Sequence, residues 1–271
     1  MMRSASPQLL PPLRFDALHT RDGHHVAFGV AGAADGVPVV VLHGGPGSGS
    51  QPGVLRLFDL TRFRVVLVDQ RGTGASTPYG SVRHNRTENL LDDLEAIRKR
   101  LGFAQWGVFG GSWGAALALA YAGRFPESVS GVVLRGLFLT SVREVRGLFI
   151  TSRRRAPNAW KRLRAAARCA QPQTLLTRCT ATLQNRSNTP RQHAVALAWR
   201  AYENAVLAAG SGAASGHARR TRPVAVRSRR AARKLIGKYR IQAHYLTHRC
   251  WLGEPRLLSL ARRAAAAGVP L

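Results

Sequence analysis

The chain has 271 residues, 45% of them hydrophobic, with 41 Lys and Arg against 13 Asp and Glu for a net charge of +28. That length fits one domain carrying an insertion; no apolar run approaches the roughly 18 to 20 residues of a membrane span, and residues 1–11 lack the apolar stretch of a secretory signal, so a soluble, cytoplasmic protein is expected. The three cysteines, Cys169, Cys179 and Cys250, fit neither a disulfide framework nor a Cys-x-x-Cys metal site and read as reduced thiols.

In chain order, strands are expected near Phe15–His19 and His24–Val30, and then at Val39–Leu42, which Pro38 opens and which empties into His43-Gly44-Gly45-Pro46-Gly47-Ser48-Gly49. A further strand over Arg64–Asp69 ends in Asp69-Gln70-Arg71-Gly72, where short polar side chains and Gly are suited to holding a turn. Thr87 to Leu101 reads as a helix, with Thr87 as N-cap and Leu90, Leu91, Leu94, Ile97 and Leu101 on one face. Strands at Trp106–Phe109 and Val129–Leu134 flank a helical run, Ala115–Ala120. Apolar strands alternating with such helices predict an α/β protein, a mostly parallel sheet covered on both faces.

The strand at 106–109 runs directly into Gly110-Gly111-Ser112-Trp113-Gly114. A Gly-x-Ser-x-Gly between strand and helix is a nucleophile elbow: the sharp turn lifts the serine hydroxyl out of the sheet, and Gly110 and Gly114 leave room for it. Ser112 is therefore the candidate nucleophile. In such a hydrolase one oxyanion donor is the N–H of the residue after the nucleophile, here Trp113. The other comes from the Gly-rich loop after the third strand, so from Gly44 or Gly45. Acyl transfer by serine needs no cofactor, no metal-ligand cluster is present, and none is expected.

These motifs together resemble the prolyl aminopeptidases (proline iminopeptidases) of the α/β-hydrolase fold. The resemblance rests on His43-Gly44-Gly45-Pro46-Gly47, Asp69-Gln70-Arg71-Gly72-Thr73-Gly74-Ala75-Ser76, Gly110-Gly111-Ser112-Trp113-Gly114 and Leu134-Arg135-Gly136. It is close over residues 14–139, then resurfaces at Ala198–Glu203 and His244-Tyr245. It implies an N-terminal part of the hydrolase core over 1–139, a helical cap over 140–250, divergent and Arg-rich, and a return to the core over 251–271. The implied activity is release of an N-terminal residue, preferably proline, from a small peptide with a free amino terminus. The family's cap recognises that amine with carboxylates. Glu203 matches one of them, with a plain helix-surface carboxylate as the alternative; at the other, Gln242 keeps the shape and loses the charge.

The second half departs from the family. Residues 1–139 carry 14 Lys and Arg and 10 Asp and Glu, whereas residues 140–271 carry 27 and 3. Such density can attract polyanions without sequence preference, but aromatics are sparse and no nucleic-acid motif is visible, so sequence-specific recognition is not expected, and a solvated face or a disordered loop is the favoured reading of these arginines. The 208–233 stretch, rich in Ala, Gly, Ser and Arg, is expected to pack least. In this fold the acid and the histidine of the triad follow the serine. The acids after Ser112 are Glu127, Glu144, Glu203 and Glu254, and the histidines are His193, His217, His244 and His248; none stands in the family's catalytic context. Gly268-Val269-Pro270 resembles the opening of the strand that delivers the catalytic aspartate, so C-terminal core strands are expected to be missing. Two alternatives therefore stand beside the peptidase: an inactive, truncated hydrolase remnant, and a basic polyanion-binding protein on the same scaffold.

Overall fold

The structure is a computed structural model and describes residues 12–210 and 228–271. Residues 211–227, the middle of the stretch expected to pack least, and the first eleven residues lie outside the described residues, as does His217. The flanks of that stretch are helical.

Six strands, β1 (Arg14–His19), β2 (His25–Gly32), β3 (Val37–Leu42), β4 (Phe63–Val68), β5 (Trp106–Gly111) and β6 (Val129–Arg135), form one sheet in the order β1-β2-β4-β3-β5-β6. β1 and β2 pair antiparallel and β2 runs antiparallel to β4, whereas β4, β3, β5 and β6 are mutually parallel. Val40, Val65 and Val66 have no exposed surface, as expected of central parallel strands covered on both faces, which read as continuous apolar runs. β3 has β4 on one side and β5 on the other, so the strand order reverses there. A crevice opens at the carboxyl ends of strands at such a reversal, and both Gly-rich loops start at those ends.

Helices α1 (Thr87–Arg100), α2 (Trp113–Arg124) and α8 (Gly253–Ala266) contribute to the main apolar core, in which Leu94, Ile97, Trp106, Trp113, Leu117 and Leu257 are among the buried side chains. A second apolar cluster joins α3 (Val142–Arg146), α4 (Pro157–Ala166), α5 (Leu175–Gln184), α6 (Thr189–Gly210) and α7 (Arg229–Thr247). α7 serves both cores: Leu235, Ile236, Tyr239 and Leu246 face the helical cluster, whereas Ile241 and Tyr245 belong to the main core. Cys169, Cys179 and Cys250 are buried and unpaired.

One expected cap is corrected. Helix α1 begins at Thr87, but Arg86 is its N-cap residue, and the Arg86 N–H donates to Asn89 Oδ1 at 3.3 Å. Thr87 is 1% exposed and donates its hydroxyl to the carbonyl of Cys250. A buried hydroxyl needs a partner, and the turn after α7 supplies one where the helix end does not.

The Asp69–Gly72 turn is held as its composition predicts. Asp69 accepts from the N–H and hydroxyl of Ser50, both at 2.7 Å, and from the Ala75 N–H at 2.7 Å. Arg71 forms a two-pronged pair with Asp93 at 2.6 and 2.8 Å and reaches Asp22 at 2.6 Å. Although burial raises it, the Asp22 carboxyl is held down at about 2 by hydrogen bonds from Thr20 and Arg71.

Candidate active site

The elbow is built by close backbone approach. A Cβ on Gly110 would lie 2.2 Å from the carbonyl oxygen of Gly114, and one on Gly114 would lie 2.1 Å from that of Leu42. Only a bare Cα fits at either position. Between them Ser112 takes φ 55° and ψ −120°, a conformation that costs a non-Gly residue on the order of 1–3 kcal/mol and persists only where its surroundings impose it. Here they do: the Ser112 N–H donates to Arg135 O at 2.8 Å, and the Ser112 carbonyl accepts from Ala115 N at 2.9 Å. The side chain is left exposed at the N-terminal end of α2, where the helix dipole favours negative charge.

The loop after β3 closes against this turn. A Cβ on Gly44 would meet Gly111 O at 3.0 Å and Ser112 Cβ at 3.3 Å, so the Gly44 backbone lies beside the serine. Among the described residues no acceptor receives the N–H of Gly44, Gly45 or Trp113. Three uncommitted donors thus belong to the two segments that meet at Ser112.

Gln70 joins these segments, a role that inspection of the turn sequence alone does not reveal. Its Nε2 donates to His43 O at 2.9 Å, and its Oε1 accepts from Trp113 Nε1 at 2.9 Å. In a trans peptide the C=O and N–H point in opposite directions. Holding the His43 carbonyl therefore fixes the direction of the Gly44 N–H. His43 is committed to the same scaffold: Nε2 accepts from Gln70 N at 3.2 Å and lies 3.1 Å from Thr73 Oγ1, while Nδ1 lies 2.9 Å from Gly44 O. Burial pushes its pKa below the ordinary imidazole value. It is a neutral structural histidine with both ring nitrogens occupied.

Beside the serine is a pocket walled by Phe138, Phe149, Trp199 and Leu246, to which Gly45, Ser112, Glu203 and Gln242 also contribute. Glu203 is more than a surface carboxylate of α6. Its Oε2 accepts from Tyr239 Oη at 2.8 Å, its Oε1 accepts from Gln242 Nε2, and Lys238 Nζ lies 3.9 Å away. Burial and then the charge of Glu203 push the Tyr239 phenol well above its usual range, so the phenol remains a donor. Gln242 is 5% exposed, and its Oε1 is buried without a partner. An acidic pair at this place would repel; the Glu203–Gln242 pair instead shares a hydrogen bond and offers one charge and one amide carbonyl.

Among the described residues no side chain hydrogen-bonds to Ser112 Oγ. Glu144 closes a capping box with Ser141, accepting from its N–H and hydroxyl at 3.1 Å. His244 is packed against His248, Trp251 and Tyr245, with ring centroids 4.9, 4.8 and 6.1 Å away. Neither it nor His193 or His248 lines the pocket. Burial, and secondarily the neighbouring His248, hold the His244 pKa down at about 4.

The comparisons with known proteins agree with this construction. A family model described as the alpha/beta hydrolase fold matches residues 37–218. The chain belongs to the α/β-hydrolase family. It is similar to a proline iminopeptidase of Arabidopsis thaliana, 38% identical over 195 residues that make up 72% of this chain and 51% of that protein. It is also similar to a proline iminopeptidase of Neisseria meningitidis, 46% identical over 132 residues, which cover 49% of this chain and 43% of that protein. The chain spans about half the length of these curated relatives. Among solved structures, a Pseudomonas aeruginosa protein provisionally designated an epoxide hydrolase superposes with a TM-score of 0.50 at 19% identity, over 97% of this chain and 75% of that one. This last likeness is one of fold. Among the described residues no helix is long and apolar enough to cross a membrane.

Proposed function

We propose that the chain is a serine hydrolase of the proline iminopeptidase type, releasing an N-terminal residue, preferably proline, from a small peptide with a free amino terminus. In this reading residues 1–139 are the N-terminal part of the hydrolase core, 140–250 its cap and 251–271 the return to the core, and the protein works in the cytoplasm without a cofactor. The observation that carries it is the convergence of a strained, exposed serine, uncommitted N–H groups beside it, and one carboxylate, Glu203, in the lining of the same pocket.

Each part has one task. Ser112 Oγ attacks the carbonyl of the first residue, and the peptide nitrogen departs with a proton, leaving an acyl-serine that water then hydrolyses. The tetrahedral oxyanion is received by the N–H of Trp113 and that of Gly44 or Gly45, a type of contact worth roughly 3–4 kcal/mol in the transition state. Glu203 and the free Gln242 Oε1 receive the substrate ammonium, and the aromatic wall accepts the apolar ring of proline. The hydroxyl proton passes to the departing nitrogen through a base within hydrogen-bond reach, a group that no described side chain supplies at Ser112 Oγ in this structure.

Labelling with a fluorophosphonate and turnover of prolyl-β-naphthylamide test the reading directly. Both signals should be present in the native protein and absent from Ser112→Ala. A folded protein that shows neither would overturn the assignment and leave the elbow as inherited geometry.

A further inference from the structure

Between Glu144 and Glu203 the sequence carries twelve Lys and Arg and no Asp or Glu. Six of the twelve stand within 153–164, on α4 and the turn before it. Among the described residues none of these six makes an ion pair; the pairs that reach beyond residue 140 are Lys238–Glu203 and Arg256–Glu88. The cluster is also braced. The guanidinium carbons of Arg153 and Arg164 lie 5.5 and 5.1 Å from the ring centroid of Trp160, whose indole N–H is anchored on Phe149 O at 2.6 Å. Arg164 is held further by the carbonyls of Cys169 at 3.2 Å and Ala170 at 2.6 Å. Side chains fixed at such proximity repel one another, and fixing them beforehand lowers the ordering cost of binding an anion.

The apolar positions of α4 decide what kind of anion fits. Ala159, Trp160 and Leu163 are buried in the helical core, whereas Lys161 and Arg162 point outward. The outer face therefore offers no apolar anchor for a lipid surface. Trp160 is 7% exposed and flanked by guanidinium groups, so it offers no platform for an unpaired base. What remains is a cluster of six cations on α4, a helix of 10 residues about 15 Å long, and on the turn before it, with Arg153 and Arg164 braced on Trp160; a duplex carries one phosphate charge per about 1.7 Å of its axis, so a face of that length meets several of them. We propose that this face binds the phosphate backbone of duplex nucleic acid without sequence preference, an activity separate from that of Ser112.

Fluorescence anisotropy with a mixed-sequence duplex of about 20 base pairs, between about 50 and 200 mM salt, tests this. Log affinity should fall linearly with log salt, by about 0.9 per phosphate neutralised. Combined Arg154→Gln, Lys161→Gln and Arg162→Gln substitutions, all at exposed positions, should flatten the slope by about 2 to 3 and weaken binding at the lowest salt by at least about tenfold. Arg262→Gln with Arg263→Gln on α8 should leave the slope near native, and Ser112→Ala should leave it unchanged. Equal losses in the α4 and α8 variants would overturn the proposal in favour of diffuse charge. Vesicles containing about one-third phosphatidylserine whose binding depends on the α4 residues, with duplex binding unmoved, would overturn it in favour of a membrane.

Discussion

Replacing Gln70 by Met isolates the device that aligns the nucleophile turn with the neighbouring loop. Methionine has nearly the length of glutamine, so packing is largely kept while both ends of the amide are lost. The Trp113 indole N–H and the His43 carbonyl, on residues 0% and 8% exposed, are then buried without their 2.9 Å partners. Each such group costs about 1–3 kcal/mol, so the variant should lose roughly 2–5 kcal/mol, a large share of the 5–15 kcal/mol typical of a domain. Urea unfolding followed by tryptophan fluorescence measures this as a lower midpoint with an unchanged slope. Adding Trp113→Phe removes one of the two orphans, and the double variant should be less destabilised than the sum of the single changes. If prolyl-β-naphthylamide is a substrate, kcat should fall while KM changes little, because in the proposed mechanism the loop N–H of Gly44 or Gly45 acts on the oxyanion and not on the bound ground state. A loss below about 1 kcal/mol, with additive double-variant energies, would refute the reasoning.

Other perturbations have equally definite outcomes. Gly114→Ala places a methyl 2.1 Å from Leu42 O; we expect a cost of about 4 kcal/mol or more, and a melting temperature lowered by at least about 8 °C in calorimetry. Glu203→Gln should raise KM for prolyl-β-naphthylamide by about 10- to 100-fold, the loss of one charge-assisted contact, with kcat within about threefold; an unchanged KM would separate Glu203 from amine recognition. Stability should also depend on pH. The His244 pKa is about 4 in the fold and about 6.5 unfolded, so between those values the unfolded chain binds the extra proton and stability falls as pH falls. Each pKa unit is 1.36 kcal/mol; because His244 is only partly buried, solvent screening reduces the total to about 1–2 kcal/mol. Equilibrium urea midpoints across pH 4 to 6.5 should show this slope, and His244→Phe should reduce it.

The sheet was legible because its signals are local. Runs such as Val39–Leu42 and Val65–Val68 carry the composition of buried strands, and the glycines around Ser112 announce a turn too tight for side chains. Ser112, Gly44, Gly45 and Trp113 could be named on the same grounds. The Thr87 cap failed because its partner, the carbonyl of Cys250, is 163 residues away. Similarly, the Tyr239 and Gln242 donors that hold Glu203 are 36 and 39 residues distant on another helix. Gln70 was visible as part of a turn, but its amide spans two loops that come together only when β3 and β5 pair. The break between α7 and α8, where Arg249, Cys250 and Trp251 all take positive φ, has no sequence signal, since none of these residues favours that region.

Helix α2 is buried at every position except Arg124, and part of its cover comes late. A Cβ on Gly123 would lie 2.2 Å from Leu260 O on α8, so the two backbones are nearly in contact across 137 residues of chain. On a ribosome adding about 5–20 residues per second, α2 emerges roughly 7–27 s before the helix that covers it. For that interval the nascent chain displays the part of α2 around Gly123 that α8 later covers, a window in which a chaperone or a neighbouring nascent chain competes for the same surface.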